Sequence, residues 1–71
     1  MLAEEVFGVN LRHKMKERGI GVKRLSVRTG LGMTTIYEAR RGRTVPNVIT
    51  AWKLAQGLGT TVEELLKGAT E

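Results

Sequence analysis

Apolar positions follow a helical spacing near the start of the chain. The residues that form this pattern are Val6, Phe7, Leu11 and Met15. Because helices place such residues on one face, the pattern predicts a first helix from about residue 4 to 18. Arg18 suits the last turn of that helix, and Gly19 suits its end.

Two shorter helices joined by a tight turn are predicted next. The first is centred on Leu25 and ends in the turn Gly30–Gly32, where glycine adopts the left-handed conformation at no steric cost. The second is predicted from Met33 to Arg41, and Gly42 closes it. The segment from residue 21 to 42 therefore has the order helix, tight turn, helix.

The last third of the chain predicts two more helices. Pro46 and Asn47 mark the start of the fourth, since an asparagine side chain can accept a hydrogen bond from an unpaired amide. Thr61 and Glu64 form a T-x-x-E capping box at the start of the fifth. The residues predicted to face inward are Val48, Ala51, Trp52, Ala55 and Leu58 in the fourth helix, and Val62, Leu65 and Leu66 in the fifth.

No segment alternates between apolar and polar residues as a strand does. The pattern therefore predicts one all-α domain of five helices over residues 1–71, with residues 68–71 as a tail. The chain has no cysteine, so helix packing alone must hold a core of limited size. Its longest apolar run spans residues 1–3, far short of the roughly 20 that a membrane span needs. We expect a cytoplasmic protein without membrane contact, of bacterial or phage type and associated with the nucleoid.

Positive charge is concentrated in one part of the chain. The net charge is +5, but residues 10–45 contain ten Lys and Arg against two Glu, a net charge of +8. A basic surface of this kind attracts a polyanion, and nucleic acid is the commonest one. The alternative interpretation is a charged face that keeps the protein soluble.

The spacing of several residues resembles the lambda and 434 repressor and Cro family of helix-turn-helix proteins. The matching positions are Leu11-Arg12, Gly19, Leu25, Thr29-Gly30-Leu31, Ile36, Gly42, Pro46, Leu54-Ala55, Leu58-Gly59 and Val62-Glu63-Glu64-Leu65-Leu66. The resemblance implies a compact five-helix, lambda-repressor-like fold whose third helix enters the major groove of an operator. It also implies a homodimer on double-stranded DNA and a role in transcription regulation, as a repressor.

The helical period gives the predicted third helix two different faces. At about 100° per residue, Met33, Thr34, Tyr37, Glu38 and Arg41 share one arc, and a second arc is small and apolar for packing. The packing arc comprises Thr35, Ile36 and Ala39. By resemblance, Met33, Thr34 and Glu38 read bases, and Arg41 and Arg43 contact phosphates. Tyr37 joins the base-reading residues by its place on the same arc, and Val22 and Lys23 join the phosphate contacts by their place at the start of helix two. Met33 has an alternative role in covering the helix junction, and Glu38 has one in holding an arginine.

Two departures from the family pattern bear on this site. In the family, helix two often begins with a glutamine that contacts a phosphate. Val22 stands at this position here, so only the backbone amides at the start of the helix could contact a phosphate. In 434-type members, a buried arginine in helix one pairs with a glutamate in helix three. Met15 stands at the arginine position here, and Arg40 stands at the glutamate position. Arg40 must therefore find water or another carboxylate.

The residues offer no support for catalysis. His13 is the only histidine, and aspartate and cysteine are absent, so we predict no enzyme, no cofactor, no metal and no small-molecule ligand. We expect His13 to face solvent and Trp52 to lie in the core. Competing hypotheses are a protein-interaction module, such as an antitoxin or adaptor, and single-stranded RNA binding, for which Tyr37 is the one good stacking residue. For the dimer, we expect contact through helix five and the loop before it.

Overall fold

Five helices account for the secondary structure in a computed structural model that describes residues 2–44 and 46–68. They are α1 (Ala3–Arg18), α2 (Val22–Thr29), α3 (Met33–Arg41), α4 (Val48–Leu58) and α5 (Val62–Leu65). The described residues contain no strand, so the prediction of an all-α, five-helix fold is confirmed. Most of the predicted tail, residues 69–71, lies outside the described residues.

Local signals begin and end the helices where the sequence predicts. α1 starts one residue earlier than expected and ends at Arg18 with Gly19 as its C-cap, and α3 has the predicted bounds. The Asn47 Oδ1 atom accepts a hydrogen bond from the amide of Thr50 at 2.8 Å, which confirms the predicted cap of α4. The Thr61 hydroxyl likewise accepts from the amide of Glu64 at 3.1 Å, one of the two hydrogen bonds of a capping box.

A single core lies between the helices. α1 packs against α3 and α5, while α4 packs against α2, α5 and α1. The buried apolar residues of this core are Phe7, Leu11, Met15, Ile20, Val22, Leu25, Ile36, Ala39, Ala51, Leu54, Ala55, Leu58 and Leu65. Val6 of α1 is also buried, and Val62 and Leu66 are partly buried against the core, so the predicted inward faces of α1 and α5 are confirmed.

The expectation that Trp52 lies in the core is wrong. Its side chain is 54% exposed, and Val48, from the same predicted stripe, is 81% exposed. The buried arc of α4 includes Leu54 and Leu58, which shifts its centre about 120° away from Trp52 at 100° per residue. Val48 is the first residue of the helix and stands beyond the end of the core.

A close approach of backbones fixes α1 against the end of α3. Gly8 is buried in α1, and a Cβ atom at this position would lie 2.9 Å from the carbonyl oxygen of Arg40 and from the Cα of Gly42. Gly42 itself has a φ of 72°, in the left-handed region, and a Cβ there would meet the backbone of Glu4 and Glu5 at 3.2 Å. The approach determines where α3 and the residues after it lie relative to α1.

Candidate nucleic-acid interface

The turn between α2 and α3 is held by side chains of α2. The Ser26 hydroxyl donates a hydrogen bond to the carbonyl oxygen of Leu31 at 2.5 Å, and the Thr29 hydroxyl accepts from the amide of Leu31 at 3.2 Å. Gly30 ends α2 with a φ of 76°, and Leu31 packs against the core. These contacts fix the angle at which α3 leaves the turn.

α3 has one buried and one exposed face. Ile36 is fully buried and Ala39 is 3% exposed, whereas Met33 and Tyr37 are 41% and 44% exposed on the opposite side. Thr34 is also exposed, so three predicted base-reading residues share the solvent face. Thr35 is exposed as well, and the expectation that it packs inward is wrong because the buried arc is only wide enough for the other two residues.

Glu38, the fourth predicted base-reading residue, contacts an arginine. Its carboxylate lies 3.3 Å from a guanidinium nitrogen of Arg41, one helical turn further along α3. Both side chains remain about half exposed, so the pair contributes at most about 0.5 kcal/mol. This contact supports the structural alternative for Glu38. Because the pair is weak, Arg41 can exchange the carboxylate for an approaching phosphate.

The predicted phosphate contacts divide into buried and exposed residues. Val22 is 7% exposed and belongs to the core, so its contribution to an anion site is limited to its backbone N–H at the start of α2. Lys23, Arg41 and Arg43 are exposed, and Arg43 follows the left-handed Gly42. No carboxylate lies within 4 Å of Lys23 or Arg43 in the described part of the chain.

A basic cleft beside the start of α2 contains cations that the sequence reasoning did not assign. Arg12 and Lys16 of α1, Gly21 and Arg40 line it together. The Arg12 guanidinium donates a hydrogen bond to the carbonyl oxygen of Arg40, and none of the three cations pairs with a carboxylate in residues 2–44 and 46–68. The i, i+4 spacing of Arg12 and Lys16 was a signal that could have placed them on one face.

Arg40 lies over the Tyr37 ring. Its guanidinium carbon is 5.9 Å from the ring centroid, within the range of a cation–π contact. Its Nε atom is buried and has no hydrogen-bond partner among the described residues. Of the two partners expected for Arg40, water or another carboxylate, no carboxylate lies within 4 Å of it in residues 2–44 and 46–68. Its neighbour there is the Tyr37 ring, one helical turn earlier.

An apolar cleft separates α2 from the exposed face of α3. Its apolar lining consists of Val22, Val27, Met33 and Tyr37, and the cations Lys23, Arg24 and Arg40 line it as well. Met33 therefore covers the helix junction while two-fifths of its surface stays in solvent, which is compatible with both roles considered for it. Val27, 79% exposed, was not identified from the sequence.

Other kinds of site find no support among the described residues. No group of three or more His, Asp or Glu side chains is placed to hold a metal ion there. No described helix has the length and apolar character needed to cross a bilayer. His13 is exposed, as expected.

Comparisons with known proteins agree with this geometry. The family described as the Cro/C1-type HTH DNA-binding domain matches residues 10–70. An HTH-type transcriptional regulator from Sinorhizobium fredii (strain NBRC 101917 / NGR234) is 31% identical over 67 residues, which cover 94% of this chain and 87% of that protein. A crystal structure of an HTH_3 family transcriptional regulator from Vibrio cholerae has a TM-score of 0.82 and 24% identity. That match covers 89% of this chain but only 35% of the Vibrio chain, and it shows the fold alone.

Proposed function

Because the chain belongs to the Cro/C1-type HTH DNA-binding domain family, we propose that this DNA-binding regulator is a sequence-specific repressor that places α3 in the major groove of its operator. One observation carries the proposal. The exposed face of α3, with Met33, Thr34 and Tyr37, is flanked by cations that have no carboxylate partner in the described residues. Side chains on the exposed face of α3 can contact base edges, while the cations on both sides of α3 can contact the phosphates that border a groove.

The proposal assigns each group a role. Thr34 and Met33 contact thymine methyl groups or base edges, and Tyr37 completes the base-reading face. Glu38 holds Arg41 in the free protein and accepts from a base edge once Arg41 turns to a phosphate. Lys23, Arg41 and Arg43 neutralise phosphates, and the α2 amides at Val22 approach a further phosphate. The cations of the basic cleft, Arg12, Lys16 and Arg40, extend this set of phosphate contacts across α1. The protein acts in the cytoplasm, without catalysis, cofactor or small-molecule ligand.

Two copies act together in this proposal. One recognition helix reads only a few base pairs, so a homodimer on half-sites about 34 Å apart gains the specificity that a regulator needs. Repression follows when the bound pair occupies DNA that polymerase must reach. Selection of bound sites from random duplex DNA tests this arrangement, since two copies predict a palindromic consensus.

Paired substitutions test the roles of base readers and phosphate contacts. Thr34→Ala should cost roughly 1–3 kcal/mol at one base pair of the selected site and leave affinity for random duplex nearly unchanged. Arg43→Ala should weaken selected and random duplexes by similar factors and reduce the magnitude of the salt slope by about 1. Circular dichroism should show both variants folded, because both side chains are exposed. A uniform loss for Thr34→Ala together with a changed base preference for Arg43→Ala would show that α3 is misplaced.

A protein-interaction module is the second candidate, and the exposed apolar side chains of α4 favour it. The salt dependence of binding separates the two functions. Counterion release makes DNA affinity fall with a slope of about −0.9 for each phosphate contact, whereas contact through apolar groups persists at high salt. Weak DNA binding with a flat salt response would support the protein-partner function.

A further inference from the structure

A third cleft, between the end of α2 and α4, has cations beside an exposed tryptophan. We call it the Trp52 cleft. Its lining residues are Arg28, Thr29, Trp52, Lys53, Gln56 and Gly57. The Trp52 side chain is 54% exposed, whereas Leu54 and Leu58 of the same helix are buried. No residue of α3 lines this cleft, so the proposed DNA contacts leave it without a role.

A contact between the two helices holds the guanidinium of Arg28 in the Trp52 cleft. Its Nε atom donates a hydrogen bond to the carbonyl oxygen of Gly57 at 2.9 Å. Neither Arg28 nor Lys53 has a carboxylate within 4 Å in the ranges that the structure describes. The two Nη groups of a guanidinium can donate a pair of hydrogen bonds to one carboxylate. Because the Gly57 contact already orders this side chain, Arg28 loses less conformational freedom when a carboxylate binds.

Apolar side chains continue from the Trp52 cleft toward the start of α4. Val48 and Ile49 are 81% and 63% exposed, and they stand four and three residues before Trp52. This spacing places the three side chains on one side of two successive turns. At the usual sizes of such residues they expose about 350 Å². That area is less than half of the roughly 800 Å² that each partner contributes to a standard interface, so it suits a short segment of a partner.

Charge indicates which kind of segment fits this surface. The side chains of the cleft include two cations and no carboxylate, so a symmetric contact with a second copy of this chain would bring like charges together. A segment that carries carboxylates meets these cations with the opposite charge. A single-stranded nucleic acid is also negative and could stack a base on Trp52. Val48 and Ile49 favour a protein instead, because aliphatic side chains gain most by contact with other apolar side chains.

We infer that the Trp52 cleft binds an acidic, amphipathic segment of another protein, with a carboxylate paired to Arg28 and an apolar side chain packed on Trp52 and Ile49. Lys53 places a second positive charge beside that carboxylate. This contact goes beyond DNA binding, since it uses none of the residues assigned to bases or phosphates. One molecule of the regulator can therefore hold an operator and a partner segment through different residues.

A peptide titration tests the inference on the full chain. The probe is a synthetic peptide of about 16 residues without tryptophan, in which Leu recurs at helical spacing and Asp and Glu fill the other positions. Trp52 is the only tryptophan of the chain, so its emission reports on this cleft. We expect the peptide to shift the emission to shorter wavelength in a saturable way. A peptide in which Ser replaces Leu should bind at least about tenfold more weakly, because it buries less apolar area.

Two arginines of α2 offer a matched pair of variants. Arg28→Gln removes the guanidinium of the cleft and should weaken peptide binding at least about tenfold. Arg24→Gln removes the same charge from an exposed residue outside the cleft, so its affinity should stay within about twofold of wild type. Because Arg28 also contacts the end of α4, Lys53→Gln serves as a second variant and should weaken binding about threefold. Circular dichroism should show these variants folded, since the replaced side chains are exposed.

Four results would overturn the inference. The first is an emission that the peptide leaves unchanged up to millimolar concentration, and the second is an equal effect of Arg28→Gln and Arg24→Gln. The third is an oligothymidylate strand that binds more tightly than the peptide and is weakened by Arg28→Gln, which would assign the cleft to nucleic acid. The fourth is an emission shift that protein concentration alone produces, which would place a second copy in the cleft.

Duplex binding separates this inference from the proposed DNA function. Arg43→Ala should weaken the binding of random duplex and leave the binding of the peptide unchanged. A protein that binds duplex but not the peptide would refute the partner segment alone. A protein that binds the peptide but not duplex would refute the DNA function alone.

Discussion

Adding a single methyl group to the protein should lower the free energy of unfolding most at Gly8. In Gly8→Ala, the new Cβ atom would meet the Arg40 carbonyl oxygen and the Cα and N atoms of Gly42, all at 2.9 Å. These are backbone atoms of the end of α3 and of the residue that closes it, so no side-chain rotation can relieve the contact. α1 and α3 must move apart instead.

Two opposing effects set the magnitude. Alanine in place of a glycine within a helix stabilises it by roughly 1 kcal/mol. Overpacking costs typically 1–3 kcal/mol, and contact with three rigid backbone atoms puts Gly8→Ala near the upper end of about 3 kcal/mol. The net loss in free energy of unfolding is about 2 kcal/mol, which corresponds to a fall in melting temperature of about 8–16 °C for a domain of this size.

Gly57→Ala provides a matched control in another helix. A Cβ at Gly57 would meet Thr29 Cγ2 at 2.6 Å and Leu25 Cδ1 at 2.9 Å. Both are side-chain atoms, so a side-chain adjustment can relieve part of the contact without moving a backbone, although the Thr29 hydroxyl is hydrogen-bonded to the carbonyl oxygen of Leu25. The gain in helix propensity is the same, so this variant should be at least about 1 kcal/mol more stable than Gly8→Ala. Thermal and urea unfolding, followed by circular dichroism, measure both. If Gly8→Ala melted at or above the wild-type temperature, the close approach of α1 and α3 would be refuted.

Two further substitutions test the cap of α4 and the buried guanidinium. Asn47→Ala should lower the free energy of unfolding by about 1 kcal/mol. Asn47→Asp keeps the acceptor for the Thr50 amide, so it should unfold as wild type does. Equal losses in the two variants would exclude the capping role. Arg40→Met should change stability by less than about 1 kcal/mol, since losing a cation–π contact of about 0.5–1 kcal/mol is offset by removing a buried donor without a partner. The same variant should reduce the magnitude of the salt slope of DNA binding by about 1, and a slope equal to that of wild type would remove Arg40 from the phosphate contacts.

The bounds of the helices could be predicted from the sequence because their signals are local. Gly19, Gly30 and Gly42 end the first three helices in left-handed conformations, and Asn47 caps the fourth. Each of these effects involves residues only a few positions apart, so the chain carries them wherever it folds. The division of α3 into a buried side with Ile36 and a solvent side with Thr34 follows from the helical period in the same way.

Tertiary packing decided the features that helical periodicity does not determine. The apolar arc of α4 is wider than the core can cover, so only the packing of α2 and α5 against α4 determines that Leu54 is buried and Trp52 is exposed. Arg12 and Arg40 are 28 residues apart in sequence, yet they line one basic cleft because α1 packs against α3. Gly8 permits that packing through contacts with the residues that end α3. Local spacing thus determined the helices and the face that α3 presents to solvent. Contacts between distant segments determined which apolar side chains remain exposed and which cations lie together beside α3, because the burial of a side chain depends on the segment that covers it.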